Sequence, residues 1–532
     1  MTRYCFAFLC LVTFFPLEIF AQSYANRGVM MSQTEVVGSA RIQALGGAAT
    51  SLGGDMSAAY YNPAGLGFFR KSEFSGGFAL NVINNDAAYT TYSFENDNFS
   101  TTNSSANNSH FQLSNLGIII SKKKDDLVPG KWRGGSFGIT FNRLNNFAGT
   151  VSYGGNNTSN DINDYYLQLV DRYEITDIND LFDQPSIIGM AADVYLLDGY
   201  VNEFGDPYID RLFPNDVPSL DYPVAQRETI ITSGNQNTWN FAYGGNYDDI
   251  LFFGLGVGVI SGNYRQERFY TEDYVESFLL SQELREIYEW SSTGLNANFG
   301  LIFKPIPILN IGASITTPTY NWIRDRSVTG LTARYDNYEY CPDCGENGGS
   351  VILGTETPPL GDIGTQSNFN ITSPWRTSLG ASVFLGKRGF ISADAEYVDY
   401  TAMNLSSNDF ATGEEDDFIN NKLTQAWNFR AGAEFRIASS FMVRVGANYQ
   451  GDPYKNENGD NLADYSRLSL TGGLGYRSSD FFIDFVLLHQ TTQQLYSPYT
   501  LTPDEDNPAL VTPYALVDQS KWRGQLNVGF YF

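Results

Sequence analysis

Histidine is almost missing from this chain, with only His110 and His489 in 532 residues. No Ser–His–acid grouping follows from the spacing of the two, and His489, at a strand end, reads as a plain lumen or rim residue. Axial ligands for haem are equally scarce. An enzyme is therefore not expected, and no cofactor is called for. Cysteine is as sparse, at four residues, and Cys5 and Cys10 fall in the first twenty. That leaves Cys341 and Cys344, and a four-ligand metal site would need both of the chain's histidines besides this pair, so no metal is expected. The pair reads as a loop-clasping disulfide or a reactive thiol pair in an oxidising compartment, the disulfide first. Positive charge is also short: Lys+Arg 33 against Asp+Glu 59, a net −26. A polyanion such as nucleic acid is an unsuitable partner for such a chain. Finally, no stretch beyond residue 20 offers eighteen consecutive apolar residues, so no helical membrane span is expected.

What the chain does have is aromatic residues, 34 Tyr and 38 Phe, together with 51 Gly, at a mean hydropathy of only −0.25. A transmembrane barrel has this composition, because its lipid-facing and lumen-facing residues average out. The start of the chain fits export. Arg3 precedes an apolar run to Leu17, and Ile19-Phe20-Ala21 offers a cleavage site, so residues 1–21 read as a signal peptide.

Two-residue alternation is the dominant pattern. Trp427, Phe429, Ala431, Ala433, Phe435 and Ile437 interleave with Asn428, Arg430, Gly432, Glu434 and Arg436. Leu309, Ile311, Ala313 and Ile315 alternate in the same way with Asn310, Gly312 and Ser314. Such a strand has one greasy face and one polar face. Charges recur in mid-strand opposite the aliphatics, at Arg376, Asp394, Glu396, Arg430, Glu434, Arg436 and Arg444. Connections are short at one end, as at 247–249, 305–307, 386–389, 438–440 and 477–480. At the other end they are long, at 154–236, 336–366, 407–421, 452–464 and 498–519. About fourteen strands are predicted, near 73–94, 110–122, 133–153, 237–247, 250–270, 287–304, 309–335, 367–386, 389–406, 422–437, 440–452, 465–477, 480–497 and 520–532. The fold class is thus all-β, a transmembrane antiparallel barrel over residues 71–532, and the expected location is the outer membrane of a Gram-negative bacterium. The acid is concentrated in the longest connection: residues 155–235 hold fifteen Asp/Glu and three Lys/Arg. Such a run reads first as a solvated outer surface.

Residues 22–70 do not alternate. They are small and Gly/Ala-rich, weakly helical over 39–49, and too poor in large apolar side chains to fold without a surrounding wall. A hatch inside the barrel accommodates them. Ala44-Leu45-Gly46-Gly47-Ala48, then Asp55 and Ser57, then Asn62-Pro63-Ala64-Gly65-Leu66 resemble the N-terminal hatch of the FadL/TodX family of outer-membrane hydrophobic-compound transporters. The resemblance covers about residues 36–70. It implies a fourteen-stranded barrel with a hatch that imports long-chain fatty acids or hydrocarbons. It also implies a ligand caught in an outer groove, passed to an apolar pocket and released sideways beside a kinked strand. Asn62, Pro63 and Ala64 carry over as the hatch motif, with Asp55 and Gly65 as support. The final alternating strand, ending in Phe532, resembles the signal read by the outer-membrane assembly machinery.

Two stretches have helical spacing and offer ligand-binding candidates above the barrel. Tyr165 to Tyr173 includes Tyr166, Leu169 and Val170; Tyr274 to Tyr288 includes Phe278 and Leu279. Phe68 and Phe69, just past the hatch motif, are candidates for an inner pocket. The expected partners are a hydrophobic small molecule, outer-membrane lipid and the assembly machinery. The alternative reading is a scaffold or secretion-associated barrel that docks partner proteins on its outer loops.

Overall fold

The computed structural model describes residues 24–124, 130–182, 186–213, 217–336, 351–357, 365–456, 462–502 and 510–532. The signal peptide and the Cys341–Cys344 pair lie outside them. Fourteen antiparallel wall strands run in chain order. They are β1 (Glu73–Ser93), β2 (Asn98–Lys123), β3 (132–157), β4 (Val224–Tyr247), β5 (Leu251–Asp273), β6 (Leu279–Ile306), β7 (309–335), β8 (365–384), β9 (389–407), β10 (Gln425–Arg436), β11 (Phe441–Gln450), β12 (Arg467–Arg477), β13 (Phe481–Tyr496) and β14 (Tyr514–Tyr531). Each pairs with its chain neighbour, and β14 pairs with β1 from Glu73↔Tyr531 to Thr90↔Tyr514. The sheet is closed and has no free edge, the condition for carrying β structure through hydrocarbon. No helix among the described residues is long and apolar enough to cross a membrane.

The alternation in sequence becomes an outward apolar belt. Leu295, Phe299, Leu301 and Phe303 of β6, Ile311 and Ile315 of β7, and Leu468, Leu470 and Leu474 of β12 all face out and are exposed. Five of the seven Trp (Trp239, Trp322, Trp375, Trp427 and Trp522) are exposed along the rim nearer the long loops, as an aromatic girdle. The polar positions face in. Arg430 bonds Glu396 at 2.8 Å, and Arg444 bonds Glu434 at 2.7 Å and Asp484 at 2.6 Å. Buried charge is tolerated there because it is paired.

Several strands are longer than expected. β2, β4 and β6 run 26, 24 and 28 residues, so their arms stand well above a bilayer-spanning length. The stretch 274–288, expected to be helical, is instead a turn at 274–278 followed by the upper arm of β6 from Leu279. It pairs with β5 over Asp273↔Ser281 to Gln266↔Tyr288 and with β7 from Ser327↔Tyr288 to Arg334↔Ser281. Ladder bonds on both sides outweigh a modest helical preference. The other helical expectation holds: α2 spans Ile162–Arg172, its first turn capped by the Asp161 side chain in a capping box with Asp164.

Three neighbouring strands break at one level, β7 at 317–319, β8 at 373–375 and β9 at 400–403. Pro318 and Pro374 sit in two of these breaks, where a missing N–H removes a ladder bond. Each break shifts the in/out alternation by one residue: Ile315 and Trp322 both face out, as do Asn370 and Leu379. Aligned bulges of this kind bend a wall. β3 breaks separately at Phe147 and Ala148.

Candidate functional site

Residues 38–69 touch inward faces on opposite sides of the wall. The Gln43 amide donates to Gln525 of β14 at 2.7 Å, and the Thr50 N–H donates to Asp394 of β9 at 2.8 Å. Asn62 is the main tie. Its Oδ1 accepts from the Ala64 N–H at 3.1 Å, and its Nδ2 donates to the carbonyls of Thr50 (2.7 Å), Leu301 (3.2 Å) and Ala313 (3.2 Å). One side chain thus joins the segment to β6 and β7. Pro63 opens the 3-10 turn Pro63–Phe68, where its lack of an N–H costs nothing. Ala64 is fully buried. At Gly65 a Cβ would lie 2.8 Å from the Leu52 carbonyl oxygen, so only glycine fits. Asp55 accepts from the Ser39 hydroxyl at 2.9 Å and from the Ser57 N–H at 2.9 Å. The five residues singled out in sequence are therefore brought together.

Fit between segment and wall is close at glycines. A Cβ on Gly446 would meet the Gly46 nitrogen at 2.3 Å, and one on Gly312 would meet the Thr50 oxygen at 2.2 Å. Backbone lies against backbone here. A small polar void of about 70 Å³ borders this zone.

Above the segment the packing loosens. Helix α1 (Tyr24–Ser32) forms the floor of a chamber of about 490 Å³. Glu415, on helix α3 (Gly413–Lys422), accepts the Tyr24 and Ala25 N–H groups at 3.0 and 2.8 Å, so a loop residue caps α1. The chamber is lined by Val29, Met30, Ile230, Tyr264, Tyr288 and Tyr496, among others. It contains three arginines. Arg268 is matched by Glu228 at 2.6 Å and Glu286 at 2.7 Å. Arg27 lies 3.5 Å from the Tyr288 ring centre and 3.8 Å from Asp325. The Arg467 guanidinium has neither a carboxylate within 4.0 Å nor a hydrogen bond among the described residues. A guanidinium of this kind in a chamber lined by aromatic rings can receive an anion.

A side cavity of about 170 Å³ shares Met30, Ile230, Tyr264, Arg467 and Tyr496 with the chamber. It runs to the β3 break at Phe147 and Ala148.

The remaining sequence candidates lie elsewhere. Tyr166, Leu169, Val170 and Leu279 are in one buried core beneath the long loops, with Phe278 stacked on Phe213 at 5.4 Å. The void beside Leu279 is about 20 Å³, room for a single water. Phe68 stacks on Phe252 at 3.8 Å, and Phe69 packs with Met56 and Ile119, both apart from the chamber. Sequence reasoning missed α1 and Arg467. The available signal was Tyr465-Ser466-Arg467, where an arginine opens a strand next to an aromatic with no acid beside it.

No protein-family model matches the chain, and no curated protein does either. Solved structures do. A Pseudomonas aeruginosa FadL homologue is 14% identical, over 94% of this chain and 99% of its own, with a TM-score of 0.48. The Ralstonia pickettii toluene transporter TbuX is 13% identical over 94% and 99%, at 0.45, and the P. putida toluene transporter TodX 10% over 94% and 99%, at 0.46. The chain resembles the FadL/TodX family, as its N-terminal motif does. Its closed barrel is established by its own strand pairing and not by these scores.

Proposed function

We propose that this chain is a passive outer-membrane channel for hydrophobic small molecules, and that a carboxylate-bearing one such as a long-chain fatty acid is among them. The carrying observation is Arg467, the one chamber arginine whose guanidinium has no carboxylate or hydrogen-bond partner among the described residues. A chamber of about 490 Å³ is within the size range of small-molecule sites. In this reading residues 24–69 are the hatch and the ligand enters beneath the long loops. Its chain rests on Tyr264, Tyr288 and Tyr496, and its head group meets Arg467. The side cavity leads toward the β3 break, and exit there into the membrane spares a greasy solute from crossing water. Chemistry is not required of any residue; the chain acts by binding and release.

The test is uptake of a labelled long-chain acid and of the matched alcohol by cells carrying the wild-type chain or Arg467→Met. Loss of one charged hydrogen bond predicts about tenfold or more weaker uptake of the acid, with the alcohol unchanged. Equal uptake of the acid by both chains would reject the anchor. No uptake of either compound beyond that of empty cells would reject the channel. One feature favours the scaffold reading instead: Phe204 and Val201, 89% and 67% exposed, crown the acidic loop. A cargo protein that copurifies stoichiometrically, in place of retained lipid, would establish it.

A further inference from the structure

The outward face of the bend in β7, β8 and β9 is a second concave region, distinct from the chamber. A groove of about 410 Å³ lies just above the aligned breaks, with Thr293, Trp322, Arg324, Asn368, Asn370 and Ser407 on its walls. Its depth in the membrane is set by Trp322, 48% exposed in the aromatic girdle. Arg324 and Arg326 follow Trp322 on the same face, roughly 7 and 13 Å further along the strand. That is head-group depth, beside the long loops.

Neither arginine is neutralised. Arg324 Nε donates to Asn368 Oδ1 at 3.4 Å and has no carboxylate within 4.0 Å, and the Arg326 guanidinium has no ion pair or hydrogen bond among the described residues. Next to them Arg265 and Arg285 share Glu267 and Glu289. This strip of wall therefore has four guanidiniums to three carboxylates, Glu267, Glu289 and the groove-lining Asp409, on a chain of net charge −26. Asp409, at the far lip, is occupied by the N–H groups of Asn368 at 2.7 and 3.2 Å.

We propose that this groove binds the phosphate-bearing head group of a lipid in the surrounding leaflet. Guanidinium forks match phosphate geometry, and the pair is strengthened where the belt limits access of water. The lipid's acyl chains would descend past Trp322, Tyr320 and Ile315, all exposed and apolar-facing. The site rests on the membrane-spanning reading but not on transport.

The test uses the full chain, delipidated in detergent, and measures binding of a diphosphorylated acylated disaccharide by native mass spectrometry. Expected is retention of that glycolipid by the wild type, with about tenfold or more weaker binding of its dephosphorylated form. Equal loss is expected for the phosphorylated lipid on an Arg324→Gln/Arg326→Gln double variant, but not on Arg227→Gln, higher on the wall. Equal binding of the two lipids, or undiminished binding by the double variant, would overturn the site. Displacement by millimolar inorganic phosphate would overturn the lipid assignment in favour of a free anion. Should the double variant fail to assemble, the wild-type comparison of the two lipids still decides. Uptake assays play no part, so failure of the channel reading leaves this result standing.

Discussion

The lower and upper halves of the lumen are built in opposite ways. Below, residues 38–69 lie against the wall backbone to backbone, with glycine on both sides: Gly46 faces Gly446, and Thr50 faces Gly312 and Gly380. Above, α1 packs one side on the wall through Ala25, Gly28 and Val29, while its long side chains, Tyr24, Arg27 and Met30, border a space of about 490 Å³. Small residues close a space and large flexible ones prop it open. The amount of apolar surface is not what separates a seal from a pocket; the separation between backbones is.

The largest test of this contrast is Gly446→Leu. Its side chain must displace the Gly46 and Leu45 backbone, which has no free rotamer with which to yield. Overpacking of this sort costs about 1–3 kcal/mol, and here the cheapest relief is to move the segment out of the seal. Large, steady single-channel currents are expected where the parent chain gives small ones. A variant that remains assembled and closed would show that the lower half has slack. Second in size is Asn62→Ala. It removes the donor to the Thr50, Leu301 and Ala313 carbonyls and the acceptor for the Ala64 N–H, so several buried groups lose a partner. A loss of about 2–3 kcal/mol is expected in denaturant unfolding followed by tryptophan fluorescence. A loss below about 0.5 kcal/mol would mean that Asn62 is not the main tie.

How far the sequence discloses this arrangement depends on how local the cause is. The strands were legible because a two-residue period is written into each segment; residues 309–335 read as one strand despite the break at 317–319. The turn at Asn62 to Gly65 was legible because a turn with a fixed cap needs particular residue types. The β6 arm at 279–288 was misread, since Leu279, Leu280, Leu284 and Ile287 fit a helix stripe and only pairing with β5 and β7 decides otherwise. Arg467 was hidden for a different reason. Its significance lies in the absence of a nearby carboxylate in space, and no spacing along the chain encodes an absence.

The upper half should respond to filling where the lower half does not tolerate it. Met30 borders both the chamber and the side cavity. Met30→Trp would occupy the volume that the proposed ligand uses, at a stability change of less than about 1.5 kcal/mol, because there is room for the ring. Uptake of acid and alcohol alike should fall, with the unfolding midpoint nearly unmoved. Comparable destabilisation to Gly446→Leu would abolish the distinction between the two halves.

The smallest effect concerns the chamber rim at Asp452, in the loop after β11. Burial raises its carboxyl from 3.8 to about 6, against the pull of the Tyr454 and Tyr465 N–H groups that it accepts at 2.8 and 3.1 Å. Those two tyrosines line the chamber, and their rings meet at 4.7 Å. The folded state holds the proton more tightly than the unfolded chain does. Its stabilisation is therefore complete below the unfolded value of 3.8 and is lost as the pH rises through about 6. The rim is weakest at neutral pH and should tighten on mild acidification. A carbon-13 titration of the Asp452 carboxyl should give a midpoint near 6, and Asp452→Asn should remove the part of the acid-induced rise in melting temperature that belongs to this loop. A midpoint near 4 would place the carboxylate in water and leave the rim without a pH response, in which case burial at the chamber mouth is shallower than the contacts of Tyr454 and Tyr465 imply.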